Sequence, residues 1–310
     1  MKRRVARIGP STLMVSLPNK WVKQHRIAKG QEIDVQERGN KLLISPTSSS
    51  SSSPLKAEID LSGVTSSVAW YYLCAAYQAG AEEIAIRFTT PTIKNEEGKE
   101  TSTLEVIQSI VDRCVGMEII RQTTSMCIVK EISATKSEEF ESSLRRVMLI
   151  ISTTFDDLIE SVKKGNKEML ESIYLYSDNR VNKFCYYCVR ILSKSHQYHP
   201  SYYTMLTHLE EIGDVIKYLA FQALHAKKEI HPVHLEHLKK LYAGVTKLIQ
   251  YPKKENVVEC NQHKKALRKM VSGKETSPLI GECVNHLMGI ANSILLMNSI
   301  KNEPGHQDVE

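Results

Sequence analysis

Six consecutive serines, residues 48–53, stand between Pro46-Thr47 and Pro54. Such a run buries nothing and behaves as a solvated tether. The chain must therefore solve its folding problem separately on each side of it. The 46 residues ahead are too few to build a sufficient core alone. The longer side has room for more than one domain.

The short side reads as strands. Val5–Gly9 alternates, Thr12–Leu17 carries strand formers up to Pro18, and a short helix is expected over residues 19–27. Residues 30–46 hold two alternating runs around Gly39-Asn40, a hairpin signal. Four short strands and one helical turn call for a partner copy. Charge sets the same segment apart. Residues 1–46 hold ten Lys/Arg and three Asp/Glu, a net +7, whereas the remainder holds 31 bases and 32 acids, a net −1. A basic module is joined to an electrically balanced body.

Residues 55–132 give the order βαβαββ, expected to form a small two-layer α/β sandwich. They contain no Gly-rich phosphate loop and no nucleophile beside a base. From 137 to 301 the apolar period is helical, with candidate helices at 137–163, 167–194, 202–227, 232–250, 255–271 and 277–300. Gly165-Asn166, His199-Pro200, Pro232, Pro252 and Pro278 separate them. Short connections favour two antiparallel three-helix bundles, at about 137–227 and 232–301. The expected fold class is α+β multidomain: a β domain at 1–46, a Ser-rich linker at 47–54, an α/β domain at 55–132 and an all-α domain at 137–301.

MKRRVARIGPS lacks the apolar run of a signal peptide. No window is expected to reach membrane-helix length; the best, Leu279–Met297, carries Glu282, His286 and two Asn. A cytoplasmic protein without membrane insertion is expected. Seven cysteines, an odd number without a paired framework, point to reduced thiols. Cys185 and Cys188 share an apolar stripe with Val181, Phe184 and Leu192, which makes them core residues rather than a redox pair.

Residues 208–220, HLEEIGDVIKYLA, pose a charge problem. Leu209, Ile212, Ile216 and Leu219 form an apolar helix face, yet Glu210 and Asp214 stack one turn apart and repel. Gly213 between them costs about 1 kcal/mol of helix propensity unless it lets a neighbouring helix approach. Either a bound cation or Lys217, three residues after Asp214, can neutralise the pair.

The helical segment resembles the PhoU family of phosphate-uptake regulators, in which two three-helix bundles carry Glu/Asp-x-x-x-Asp motifs. LEEIGD at 209–214 is similar to that family's signature, and SDNRVN at 177–182 occupies the matching place in the preceding helix. The resemblance implies a divalent, iron or zinc ion in the first bundle, held by Glu210, Asp214, Asp178 and Asn182. In the second bundle Met288 and Asn292 replace the motif. Residues 1–46 resemble the SpoVT/AbrB (MazE-like) swapped-hairpin DNA-binding domain, from RRVARIGPS through LPNKW to KGQEIDV. That domain is made only as an intertwined dimer. The middle segment resembles the α/β insert of archaeal proteins joining these modules, through YQAGAEEIAI (77–86) and GMEII (116–120).

Charge and resemblance together nominate Lys2, Arg3, Arg4, Arg7, Lys20 and Lys23 for DNA contact. His231, His234 and His237 recur every three residues, which spreads their rings around a helix and argues against a shared metal. Glu282 and His286 have ligand spacing without a partner motif. The expected function is a homodimeric, DNA-binding regulator of phosphate uptake and phosphate homeostasis, not an enzyme. Its further partner would be a phosphate-transporter ATPase or a phosphate sensor. The alternative is an adaptor that dimerises through its N-terminus and regulates the transporter by protein contact alone.

Overall fold

The N-terminal strands form two separate antiparallel hairpins in the computed structural model, which describes residues 2–10, 12–38, 41–46, 54–195, 198–225, 230–270 and 277–299. The serine tether and the Gly39-Asn40 turn lie outside the described residues. Strand β1 (Val5–Ile8) pairs with β2 (Thr12–Val15), Val5 opposite Val15. Strand β3 (Ile33–Arg38) pairs with β4 (Lys41–Pro46), Arg38 opposite Lys41. Helix α1 (Asn19–Gln24) follows Pro18 between them.

Alternation makes the β3–β4 hairpin two-faced. One face carries Ile33, Val35, Leu42, Ile44 and Pro46, with Glu37 at its turn end; the other carries Asp34, Ser45 and Leu43. No core forms from these elements: among the described residues of this unit none is buried, and eight large apolar side chains are 42% to 69% exposed. Isolated two-stranded hairpins are at best marginally stable in water.

The described residues of 54–299 form a second compact unit. Its sheet runs in the order β5-β6-β10-β9, from β5 (Lys56–Asp60), β6 (Glu83–Arg87), β9 (Met117–Gln122) and β10 (Met126–Glu131). β5 and β6 are parallel, joined by helix α2 (Ser66–Gln78); β10 is antiparallel to both its neighbours. Helix α3 (Thr103–Val111) leads into β9. The sequence pattern missed a small hairpin of β7 (Thr92–Lys94) and β8 (Glu100–Ser102), because three-residue strands are too short to show a period.

Six helices follow: α4 (Phe140–Lys164), α5 (Lys167–Lys194), α6 (Ser201–Leu224), α7 (Pro232–Gln250), α8 (Lys254–Met270) and α9 (Pro278–Ser299). Gly165, with φ +64°, ends α4, and the Asn166 side chain caps α5 by accepting from the Met169 N–H at 3.1 Å. The two halves interlock, since α6 packs on α9 as well as α5, and α4 packs on α7. Contrary to the sequence expectation, α9 is long and apolar enough to cross a bilayer. Here its apolar stripe, including Cys283, Leu287, Ile290 and Ile294, is buried within the helical array.

Arg190 of α5 ties the helices to the sheet. It is 0% exposed, and its Nη1 donates to the carbonyls of Tyr77 and Ala81 at 2.8 and 2.9 Å. Nε donates to Thr135 Oγ1 at 3.0 Å, and Nη2 lies 3.0 Å from Glu131 Oε1 as an ion pair. Lys194, one turn on, reaches Glu131 at 2.8 Å and Glu82 at 3.0 Å. The sequence pattern did not single out Arg190, which sits among apolar residues in YYCVRIL; an arginine on a core-facing position was the available signal.

Candidate nucleic-acid interface and carboxylate site

Lys2, Arg3 and Arg4 precede β1, Arg7 lies on it, and Lys20 and Lys23 lie on α1; all six are exposed. None makes an ion pair among the described residues; Arg7 Nη2 donates to the Pro10 carbonyl at 2.7 Å. Unpaired exposed cations release counterions when phosphate replaces them, which suits them to a polyanion.

Residues 6–52 match the family model of the MazE bacterial antitoxin, described as antidote-toxin recognition. The N-terminal module is MazE-like. No curated protein and no solved structure matches the chain. Modules of this kind suggest a DNA-binding or antitoxin-like regulator, and the cationic, coreless MazE-like module described above has the charge and the unmet apolar surface to fit it.

The second candidate site lies on α5 and α6. Gly213 brings the two helices together: a Cβ there would stand 3.1–3.3 Å from the Cβ and both methyls of Val181. The carboxylates of Glu210, Glu211 and Asp214 converge, one oxygen of each lying within 4.8 Å of the others. Among the described residues this is the one such group, so the three histidines of 231–237 form none. Glu211 was missed in sequence; its place three residues before Asp214 on the same helix was the signal.

Lys217, one of the two cations considered for the Glu210–Asp214 pair, acts on Asp214 from a distance but makes its ion pair elsewhere. Its Nζ crosses to Asp178 Oδ2 on α5, at 2.7 Å. Asp178 Oδ1 accepts from the Asn179 N–H at 2.9 Å. Asn182, 8% exposed, has no hydrogen-bond partner for its Oδ1 among the described residues. Burial, then Asp214 and Glu211, push the Glu210 carboxyl up to about 7, despite the Tyr186 hydroxyl donating to it at 3.4 Å. Burial raises Asp214 as well, against the pull of Lys217. Among the described residues no cation forms an ion pair with Glu210, Glu211 or Asp214. Three convergent carboxylates, two of them driven toward protonation, fit a hard divalent cation.

A stability test follows. A carboxyl raised from its ordinary 4.5 to about 7 costs nothing below pH 4.5, and its penalty grows as pH rises to about 7. Glu210→Gln is expected to leave stability unchanged at pH 4 and to raise it by about 1–2 kcal/mol at pH 8, after discounting for partial exposure. Urea titrations check this. Added manganese or zinc should stabilise the parent and do little for the variant.

His286 gains the partner the sequence lacked. Its Nδ1 lies 3.2 Å from Nδ1 of His208 on α6, and a Cβ at Gly289 would collide with the His208 ring. Burial and His286 lower the His208 pKa. All seven cysteines are buried, and burial raises every thiol, Cys188 to about 12. Cys185 and Cys188 accordingly behave as core residues.

Proposed function

We propose that the protein is a cytoplasmic, DNA-binding transcriptional regulator that pairs through its MazE-like module. Its helical body adjusts phosphate uptake and intracellular phosphate in the manner of PhoU, and no catalytic step is assigned to it. One observation carries the proposal: a single small module combines a net charge of +7 with an apolar hairpin face left uncovered in one chain. A second copy covers that face and doubles the charge. The PhoU-like part of the proposal draws support from the six-helix order and from the α5–α6 carboxylates. A divalent, iron or zinc ion held by Glu210, Glu211 and Asp214, with Asp178 and Asn182 beside them, belongs to it. So does contact with a phosphate-transporter ATPase or a phosphate sensor.

Retention of promoter fragments at two salt concentrations tests the DNA role. A dimer making six phosphate contacts should lose roughly 10³-fold in affinity between about 50 and 200 mM salt. Arg3→Glu/Arg4→Glu/Arg7→Glu should abolish retention. If the parent shows no sequence-dependent retention and phosphate regulation survives the charge reversal, the module only pairs chains and the protein works as an adaptor on the transport machinery. The family description also names antitoxins; stable co-purification of a small toxin whose activity the protein silences would redirect the proposal there.

A further inference from the structure

The body is balanced in total but not in distribution. Residues 232–270, the α7–α8 hairpin and its connection, hold nine Lys/Arg against three Asp/Glu, a net +6. The rest of the chain after residue 46 then holds 22 bases against 29 acids. Two of its cations are paired, Lys239 with Asp156 of α4 and Lys247 with Glu259. Glu236 pairs with Lys163 of α4 at 2.5 Å, while Glu259 stands 3.8 Å from Lys247.

Helix α8 concentrates the effect. Of its 17 residues only Asn256, Cys260 and Leu267 are buried, and its main neighbour is α7. Lys254, Val258, Asn261, Lys265 and Arg268 follow one another at helical steps of four and three, so they form one outward stripe. All five are exposed, and Lys254, Lys265 and Arg268 make no ion pair among the described residues. Arg268, in the last turn, is favoured by the helix dipole; Lys254 in the first turn is opposed by it. Among the described residues no ion pair stabilises the charge at the Lys254 end.

From this we infer that α8, with the adjoining end of α7, is a second contact to the phosphate backbone of duplex DNA, independent of base sequence. It rests on the DNA-binding reading of the MazE-like module and adds to it. The stripe is about 21 Å long at 1.5 Å per residue, and duplex DNA presents one negative charge per roughly 1.7 Å of its axis. A lipid surface fits less well, because the stripe offers only Val258, 47% exposed, for insertion. Single strands fit less well too, since stacking needs a row of aromatics and only Tyr251, 56% exposed, stands at one end.

The test measures binding of the full chain to a promoter fragment and to a random-sequence duplex across a potassium chloride series. Lys254→Gln/Lys265→Gln/Arg268→Gln should flatten the slope of log affinity against log salt by about 0.9 per lost contact, equally for both duplexes. Promoter preference should persist. An unchanged slope overturns the inference, as does a parent protein that binds no duplex. A loss confined to phosphatidylserine vesicles or to polyglutamate, with the duplex slope intact, assigns the stripe to a membrane or an acidic protein and also overturns it. Failure of the module's own role looks different: Arg3→Glu/Arg4→Glu/Arg7→Glu then leaves promoter preference unchanged while the α8 variant still flattens the slope.

Discussion

Val35→Glu/Leu42→Glu should convert the protein from dimer to monomer and abolish its retention on promoter DNA. Both side chains lie on the apolar face of the β3–β4 hairpin, and both are more than half exposed in a single chain. Burying a Val or Leu side chain stabilises by about 1.5–3 kcal/mol. Each side chain is already about half covered in one chain, so two substitutions repeated in two copies remove about 3–6 kcal/mol, on the order of 10²-fold or more in the pairing constant. Charge burial adds to the loss. Because the module has no core of its own, its folding and its pairing are one event. Asp34→Asn, on the opposite face of the same hairpin, serves as the control and should leave the dimer intact. Light scattering on the full chain reads the result. A variant that stays dimeric and still retains DNA would show that the module pairs by another surface.

Arg190→Met should destabilise the body by about 3 kcal/mol, the lower end of the range for breaking a buried ion pair. Three acceptors lose their donor: the carbonyls of Tyr77 and Ala81, and Thr135 Oγ1. Lys194 remains on Glu131 at 2.8 Å, which keeps the carboxylate partnered and holds the cost down. For a body of this size the midpoint temperature should fall by about 6–12 °C. Adding Glu131→Gln to Arg190→Met should recover part of the loss, because the two side chains share one network.

Acid dependence checks the same network. Burial works to raise the Glu131 carboxyl, but hydrogen bonds from Lys194, Thr135 and Arg190 overcome it and hold the group at about 2. A depressed carboxyl gives its full stabilisation above the ordinary value of 4.5 and loses it as pH falls toward about 2. The parent should therefore weaken across that window more steeply than Glu131→Gln does.

The helices were legible because long amphipathic runs bounded by Gly and Pro declare themselves locally. The starts expected at 167 and 232 coincide with Lys167 of α5 and Pro232 of α7. The β3–β4 alternation and the buried fate of Cys185 and Cys188 were legible for the same reason, each resting on a period of two or of 3.6. Lys217 shows where local reasoning stopped. On α6 its nearest acids by spacing are Glu210 and Asp214, yet a flexible side chain reaches across to α5, and Asp178 receives it. Arg190 and the His208–His286 contact were hidden likewise, since their partners lie on elements far away in the chain.

Composition, period and punctuation thus settled the long helices and the longer strands, and where the charge in the first 46 residues stands. Those properties depend on neighbours a few residues away. Only tertiary structure decided which cations stay unpaired. Arg190 is committed to the sheet and Lys217 to α5, while Lys254 and Lys265 are exposed and make no ion pair among the described residues. Coulomb pairing depends on distance through space, and a sequence does not state that distance.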